Sequence, residues 1–162
     1  MDFVGLIEGL TSNSRLITFL VSMVPVLELR GAIPVGMALD LKPIETLVIA
    51  LVGNMLPVPF IVLFLRKIFA FLKRKSRWLR RIVEKLEKKA ESKQDLIHRW
   101  QVFGLFLLVA IPLPGTGAWT GSMVAALMDI RLKHALPAIA AGVLAAGLIV
   151  LSISVGVAGL IG

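Results

Sequence analysis

The chain has 162 residues, of which 57% are hydrophobic and only 17% charged, and its formal net charge is +8. A soluble domain of this length could not bury so much apolar sequence, so the composition indicates an integral membrane protein. Cysteine is absent, which excludes disulfides, thiolate metal sites and cysteine nucleophiles. Nucleotide-binding loops, metal clusters and nucleophile motifs are also missing, so we expect neither a cofactor nor an enzymatic activity.

The first 14 residues carry Asp2 and Glu8 where a secretory signal peptide would have a positive start, and they lack the usual cleavage pattern. We predict that this segment is a short helix lying at the membrane interface. It precedes two similar halves joined by a basic linker, and we expect residues 1–162 to form a single membrane domain.

The first half, residues 15–65, is a broken apolar stretch followed by a long apolar helix. Its breaking residues are Pro25, Gly31 and Pro34. They leave half helices of about ten residues, well short of the ~20 that cross a bilayer, so residues 15–40 predict a reentrant hairpin. The helix over 43–65 is long enough to cross at ~1.5 Å per residue. Length alone leaves open the alternative that both broken stretches of the chain cross fully, giving four transmembrane helices.

The linker, residues 66–100, holds 13 of the 18 Lys and Arg residues. Such a concentration marks the cytoplasmic segment of an inner or plasma membrane protein by the positive-inside rule. Apolar side chains recur among these charges at helical spacing: Phe71, Leu72, Trp78, Leu79, Ile82, Val83 and Leu86. They predict an amphipathic helix on the anionic leaflet, a better explanation of the net charge than binding to nucleic acid.

The second half, residues 101–162, repeats the order of features of the first. A broken stretch over 101–128 predicts another reentrant hairpin, and an apolar helix is predicted over 134–158. The water-exposed turns before the two long helices are marked by Asp40 and Lys42, and by Asp129 and Arg131. The same order of broken stretch, charged turn and long apolar helix on both sides of the linker indicates an internal repeat.

Charges near the turns indicate the orientation of the halves. With the linker inside, a reentrant second hairpin leaves Arg131 and Lys133 cytoplasmic, although Arg15 and Lys42 then lie outside. The hairpins would open to opposite sides, so the predicted fold class is an all-α integral membrane protein with two inverted repeats. Such repeats bring two broken hairpins together near the midplane, where alternating access is generated. Because so small a bundle encloses little volume, a homodimer would provide further helices around the site.

Glu28 and Arg30 are the only charges deep in apolar sequence. Each would cost ~2.5–3.5 kcal/mol at the centre of a spanning helix, which favours a function over a merely structural ion pair. Residues two apart on a helix also point apart and cannot pair well. Glu28 can carry a proton or counter a cation, whereas Arg30 suits phosphate or carboxylate beside a half helix predicted to begin near Gly31.

The second break, PLPGTGAWTG, predicts another half helix beginning near Thr116, with free amides and the hydroxyls of Thr116 and Thr120. Two helix N-termini together with Arg30 describe an anion site. Asn54 either unwinds the first spanning helix beside this site or accompanies a simple proline kink. The candidate binding or coupling residues are Glu28, Arg30, Gly31, Pro34, Asn54, Pro112, Pro114, Gly115, Thr116, Gly117, Trp119 and Thr120.

The motif ELRGAIP, followed about eighty residues later by PLPGTGAWTG, resembles the small multidrug export protein family, which is related to the DedA superfamily. This resemblance implies two reentrant loops facing one another. It also implies proton-coupled transport or movement of lipids such as polyprenyl phosphates, with Glu28 matching the acidic residue of the first loop. Many DedA proteins have arginines around the second loop, but here Arg30 alone would supply the fixed positive charge.

We therefore predict a membrane transporter or flippase that couples protons through Glu28 and moves an anionic lipid or small molecule. One alternative is export of small cationic compounds, in which Glu28 binds the cation and Arg30 is dispensable. Another is a nontransporting scaffold or scramblase that acts through the basic linker. The expected partners are membrane lipids, the substrate and protons, and no nucleic acid.

Overall fold

The structure is a computed structural model that describes residues 13–75, 94–113 and 115–161. Within these ranges every regular element is a helix and no strand occurs, which confirms the all-α prediction. The helices are α1 Ser14–Met23, α2 Glu28–Ala38, α3 Pro43–Met55, α4 Pro57–Lys75, α5 Gln94–Ala110, α6 Ala118–Leu127 and α7 Leu132–Ile161. The predicted interfacial helix over 1–14 and the middle of the basic linker lie outside the described residues.

Two helical stretches are long and apolar enough to cross a membrane, as predicted. They are Pro43–Ile68 and Leu132–Val157, each of 26 residues, or ~39 Å of helix. The first is formed by α3 and α4, which are separated only by Leu56 because Pro57 lacks the amide that would continue the hydrogen bonding. Residues 66–75, assigned to the linker by sequence, continue α4, and residues 94–100 form the start of α5.

Of the four remaining helices among the described residues, α5 has 17 residues and the other three are short. Helices α1, α2 and α6 have 10, 11 and 10 residues, so each is only ~15 Å long. The Asn13 side chain caps α1 by accepting from the amides of Arg15 and Leu16. Helices α1 and α2 pack against each other and against α3, and α5 and α6 pack against each other and against α7. Contacts between the halves join α2 to α7 and α6 to α4.

The turns that follow α2 and α6 have the same geometry. Asp40 and Asp129 both adopt left-handed backbone, with φ of 63° and 53°. The amide after each aspartate donates to a carbonyl five residues earlier, that of Gly36 (3.1 Å) in the first turn and Ala125 (2.9 Å) in the second. These hydrogen bonds are those of a helix-ending Schellman turn. The two turns lie 89 residues apart along the chain.

Both spanning helices have a glycine in close contact with the first arm of their own half. A Cβ at Gly53 would lie 2.7 Å from the Phe19 carbonyl oxygen, and one at Gly142 would lie 2.9 Å from that of Phe106. The two glycines are again 89 residues apart, and each is the eleventh residue of its span. The same small-residue packing therefore holds α1 against the first spanning helix and α5 against the second.

Arg66 connects the far end of the first spanning helix to the turn after α6. Its Nη2 donates to the Ile130 carbonyl at 2.6 Å and lies 3.0 Å from Asp129 Oδ1. Arg66 comes 23 residues after Pro43, which places this turn ~35 Å along the helix from the turn after α2. The Ile130 carbonyl belongs to a buried residue, whereas the Asp129 side chain is exposed, so the hydrogen bond contributes more than the ion pair.

We predict that Gly53→Ala and Gly142→Ala each lower the free energy of unfolding by about 1–3 kcal/mol, because a backbone carbonyl cannot rotate away from the added methyl. Gly156→Ala is the matched control on α7, since a Cβ there meets nothing within 4 Å. It should change the free energy by less than about 0.5 kcal/mol. Unfolding in detergent micelles measures all three, and equal losses at positions 142 and 156 would contradict the packing.

Candidate functional site

The breaks of the two hairpins meet, and the charged residues of the first break lie at this contact. Helix α2 begins at Glu28, three residues before the predicted start near Gly31, and α6 begins at Ala118 rather than near Thr116. The residue that turns the chain into α2 is Glu28 itself, which adopts a left-handed φ of 48°. A non-glycine residue in that conformation is uncommon and carries backbone strain, which is typical of functional sites.

The carboxylate of Glu28 binds the N-terminus of the opposite hairpin's second helix. Its Oε1 accepts from the amide of Trp119 at 3.0 Å, the Ala118 amide also donates towards it, and Glu28 is only 3% exposed. These amides are in the first turn of α6, where no residue of the helix itself provides a side-chain cap. Glu28 therefore acts as a capping residue across the hairpins, stabilised by the positive end of the helix dipole.

Gly117 provides the space for this contact. A Cβ at Gly117 would collide with the Glu28 carboxylate, and its φ of 127° disfavours any other residue. Glu28 and Gly117 are 89 residues apart, the same separation as between the matching turns and the matching glycines. Corresponding positions of the two halves thus face each other, one with a carboxylate and one without a side chain.

The guanidinium of Arg30 binds main-chain oxygens of the second break. Its Nη1 donates to the Leu113 carbonyl, and its Nη2 to the Thr116 carbonyl at 2.6 Å and hydroxyl at 2.8 Å. The Thr116 hydroxyl also lies 2.7 Å from the Ile111 carbonyl, which fixes the loop. Among the described residues Glu28 and Arg30 form no ion pair with each other. Each instead supplies what the backbone of the other hairpin lacks, an acceptor for its amides and a donor for its carbonyls.

A family model described as "Putative small multi-drug export protein" matches residues 28–149, about three quarters of the chain. The chain belongs to this family. The match begins at Glu28 and includes both breaks, so the predicted resemblance to the small multidrug export family is confirmed. No curated protein and no solved structure matches the chain.

Membership of this export family, together with the two apolar helices, identifies a membrane protein of transporter type. This agrees with the expected membrane location and with the broad expectation of export. The relation to the DedA superfamily stays a prediction.

The other predicted residues of the second break lie around the contact. Trp119 donates its indole N–H to the Met23 carbonyl at 3.1 Å, which fastens α6 to the end of α1. Thr120 donates to the Gly115 carbonyl at 3.0 Å and so closes its own loop. Gly115 is exposed with φ 83°, and Pro112 is half-buried. Pro114 lies outside the described residues.

Three predicted residues belong to helices rather than to the loop contact. In α2, Gly31 approaches Leu27, and Pro34 is exposed. Asn54 is fully buried two residues before the break at Leu56, and its amide nitrogen and oxygen have no hydrogen-bond partner among the described residues. A buried amide without partners costs free energy, which is consistent with a functional rather than a stabilising role.

Sequence reasoning predicted free amides at the start of the second half helix, but as a site for an anionic substrate and not as partners of Glu28. It did not identify the carbonyls that bind Arg30. The Leu113 carbonyl and the Ala118 amide belong to apolar residues with no chemical signature of their own. The one available signal was the pair of prolines around Leu113, because chain broken by proline leaves carbonyls without intrahelical partners.

We predict that Gly117→Ala and Glu28→Ala are strongly coupled in their effects on unfolding, because the added methyl collides with the carboxylate. The double variant should be less destabilised than the sum of the single variants, by about 0.5–3 kcal/mol. Unfolding of the three variants in detergent micelles measures this coupling.

Gly115→Ala is the matched control. It also imposes a side chain on left-handed backbone, but a Cβ there meets nothing within 4 Å, so its coupling to Glu28→Ala should be near zero. Equal coupling at positions 115 and 117 would mean that backbone strain, and not the contact with Glu28, determines the requirement for glycine.

Proposed function

We propose that this export-family protein is a membrane transporter or flippase whose substrate site lies between the two hairpin tips, with Glu28 coupling transport to protons. The observation that carries the proposal is the buried carboxylate of Glu28 on the N-terminus of α6. This contact joins the hairpins through a group whose charge a single proton removes.

Reentry of both hairpins is supported by how deep their first arms reach. Gly53 contacts Phe19 and Gly142 contacts Phe106, and each glycine is the eleventh of the 26 residues in its span. The arms that carry these phenylalanines end within four residues of them. The tips thus lie near the middle of both spanning helices, and the ~15 Å length of α2 and α6 suits a return to the side of entry.

An inverted repeat is supported by the position of the two turns. The turn after α2 directly precedes Pro43, whereas the turn after α6 binds Arg66, ~35 Å along the same spanning helix. Hairpins that return to opposite ends of one helix enter the membrane from opposite sides. With the basic linker in the cytoplasm, the second hairpin opens inward, and alternating access follows from exchanging the conformations of the two halves.

Protonation of Glu28 provides the coupling step. The amides of Ala118 and Trp119 attract the carboxylate through its negative charge, so adding a proton weakens the contact between the tips. The same amides and the Arg30 guanidinium then offer their hydrogen bonds to another anion. An anionic lipid headgroup, such as that of a polyprenyl phosphate, fits this exchange because phosphate binds both helix N-termini and guanidinium groups.

Export of small cationic compounds is the second candidate, and a specific observation favours it. The carbonyls of Leu113 and Thr116 converge on the Arg30 guanidinium, so this loop already binds one cation. If Arg30 withdrew, these oxygens and the ionised Glu28 would face a positively charged substrate. The family description also names drug export.

The test measures transport in proteoliposomes across a pH gradient with two substrates, a polyprenyl phosphate and a cationic dye. For the lipid, we predict that Glu28→Gln and Arg30→Lys each reduce the rate by about tenfold or more. The amide removes the titrating charge, and lysine cannot form the two-pronged guanidinium contact, which is worth about 1.5–3 kcal/mol.

Asp40→Asn is the matched control, since Asp40 is an exposed acid in a left-handed position that asparagine adopts readily. It should transport at the parental rate. If the dye is exported and its export depends on Glu28 but not on Arg30, the site binds cations and the proposed anion site is wrong. Lipid movement that is unaffected by both Glu28→Gln and Arg30→Lys would overturn the proposal and favour a scaffold or scramblase.

A further inference from the structure

The first spanning helix begins beside a cleft that the transport site does not use. The cleft is shallow and largely open, has a volume of about 610 Å³, and is lined by Arg15, Lys42, Ile44, Glu45, Val48 and Ile49. Arg15 comes from the start of α1, while the other residues come from the start of α3 and the residue before it. The cleft thus lies between a hairpin arm and the spanning helix, at the end of that helix.

The polar side of the cleft has an excess of positive charge. Arg15 Nε lies 2.6 Å from Glu45 Oε1, and the arginine side chain remains 70% exposed. Lys42 has no acidic partner among the described residues. Two cations and one carboxylate give a net charge of +1, with Glu45 holding the guanidinium in place.

The other side of the cleft is apolar. Ile44 is 69% exposed and Val48 is 53% exposed, and residues four apart lie on the same face of a helix. At the end of a membrane-spanning helix, such a face contacts lipid chains while the basic residues reach the headgroups. Positive and apolar surfaces therefore meet within one cleft, in the order in which a phospholipid presents its phosphate and its acyl chains.

We propose that this cleft binds a single anionic phospholipid. Lys42 and the exposed guanidinium of Arg15 donate to the phosphate, and an acyl chain lies along Ile44 and Val48. Arg15 belongs to α1, whereas the rest of the cleft belongs to the start of the first spanning helix. The bound lipid therefore contacts both elements and stabilises the packing of α1 against that helix. Its binding therefore stabilises the folded protein.

The site explains a feature of the charge distribution. The cleft lies at the Pro43 end of the helix, opposite the Arg66 end that continues into the basic linker. In the proposed orientation this end faces away from the cytoplasm, where the positive-inside rule disfavours Arg15 and Lys42. Binding of a lipid phosphate explains why two cations lie at this end of the helix. The choice of leaflet rests on the proposed topology, whereas lipid binding at the cleft does not.

Thermal unfolding of the full chain in detergent micelles tests the proposal, with phosphatidylglycerol, phosphatidylcholine or inorganic phosphate added. Phosphatidylglycerol should raise the melting temperature of the parent more than phosphatidylcholine does. Lys42→Gln and Arg15→Gln should each weaken the affinity for phosphatidylglycerol about fivefold, and the double variant should lose most of the shift. Lys133→Gln removes an exposed cation from the start of the other spanning helix and should retain the parental shift.

A photoreactive phosphatidylglycerol distinguishes the cleft from lipid bound elsewhere. Its adducts should map to residues 44–49 in the parent and decline in the Arg15→Gln, Lys42→Gln double variant. An unchanged melting shift and unchanged labelling in that variant would overturn the proposal. So would an equal shift with inorganic phosphate, which would identify a small-anion site without a lipid chain. Because these readouts measure binding, they are independent of whether the protein transports its substrate.

Discussion

Main-chain groups in the middle of an apolar bundle need partners, and each hairpin tip supplies those that the other lacks. Breaking a helix in such surroundings leaves amides at one end and carbonyls at the other. Glu28 accepts from the amides that begin α6, and Arg30 donates to the carbonyls that precede it. Each residue would be costly in apolar surroundings by itself, and each is stabilised by the break it faces. The two charges and the two breaks therefore depend on one another.

The sequence predicted those parts of the fold that depend on length and composition. Two apolar segments long enough to cross a membrane were identified with nearly their observed bounds, because their hydropathy is continuous. Glu28 and Arg30 were recognised as unusual because no other charges lie so deep in apolar sequence. The free amides of the second half helix were predicted, but their pairing with Glu28 and the carbonyls that bind Arg30 were not, since carbonyls and amides are common to all residues. The start of α2 was expected near Gly31, but the helix begins at Glu28, which itself has left-handed backbone.

The two halves match in their turns, in their packing glycines and in the positions of their breaks, yet they differ at the point where they meet. A second carboxylate in place of Gly117 would put two like charges in one small buried space. One half therefore carries the acid, and the other keeps its corresponding position free. An acid at both positions would produce a repulsive contact, so the glycine at position 117 is what allows the two halves to close on each other.

The break at Leu56 has a mechanical consequence. Before it, α3 supports both arms of the first hairpin, and after it, α4 supports α6 of the second hairpin. Proline at position 57 removes one main-chain hydrogen bond between these two segments, so the helix bends there more easily than elsewhere. A bend at this joint would move one hairpin relative to the other and would separate Glu28 and Arg30 from their partners at the opposite tip. The first spanning helix thus supports both hairpins and also contains, at Leu56, the point where it bends most easily.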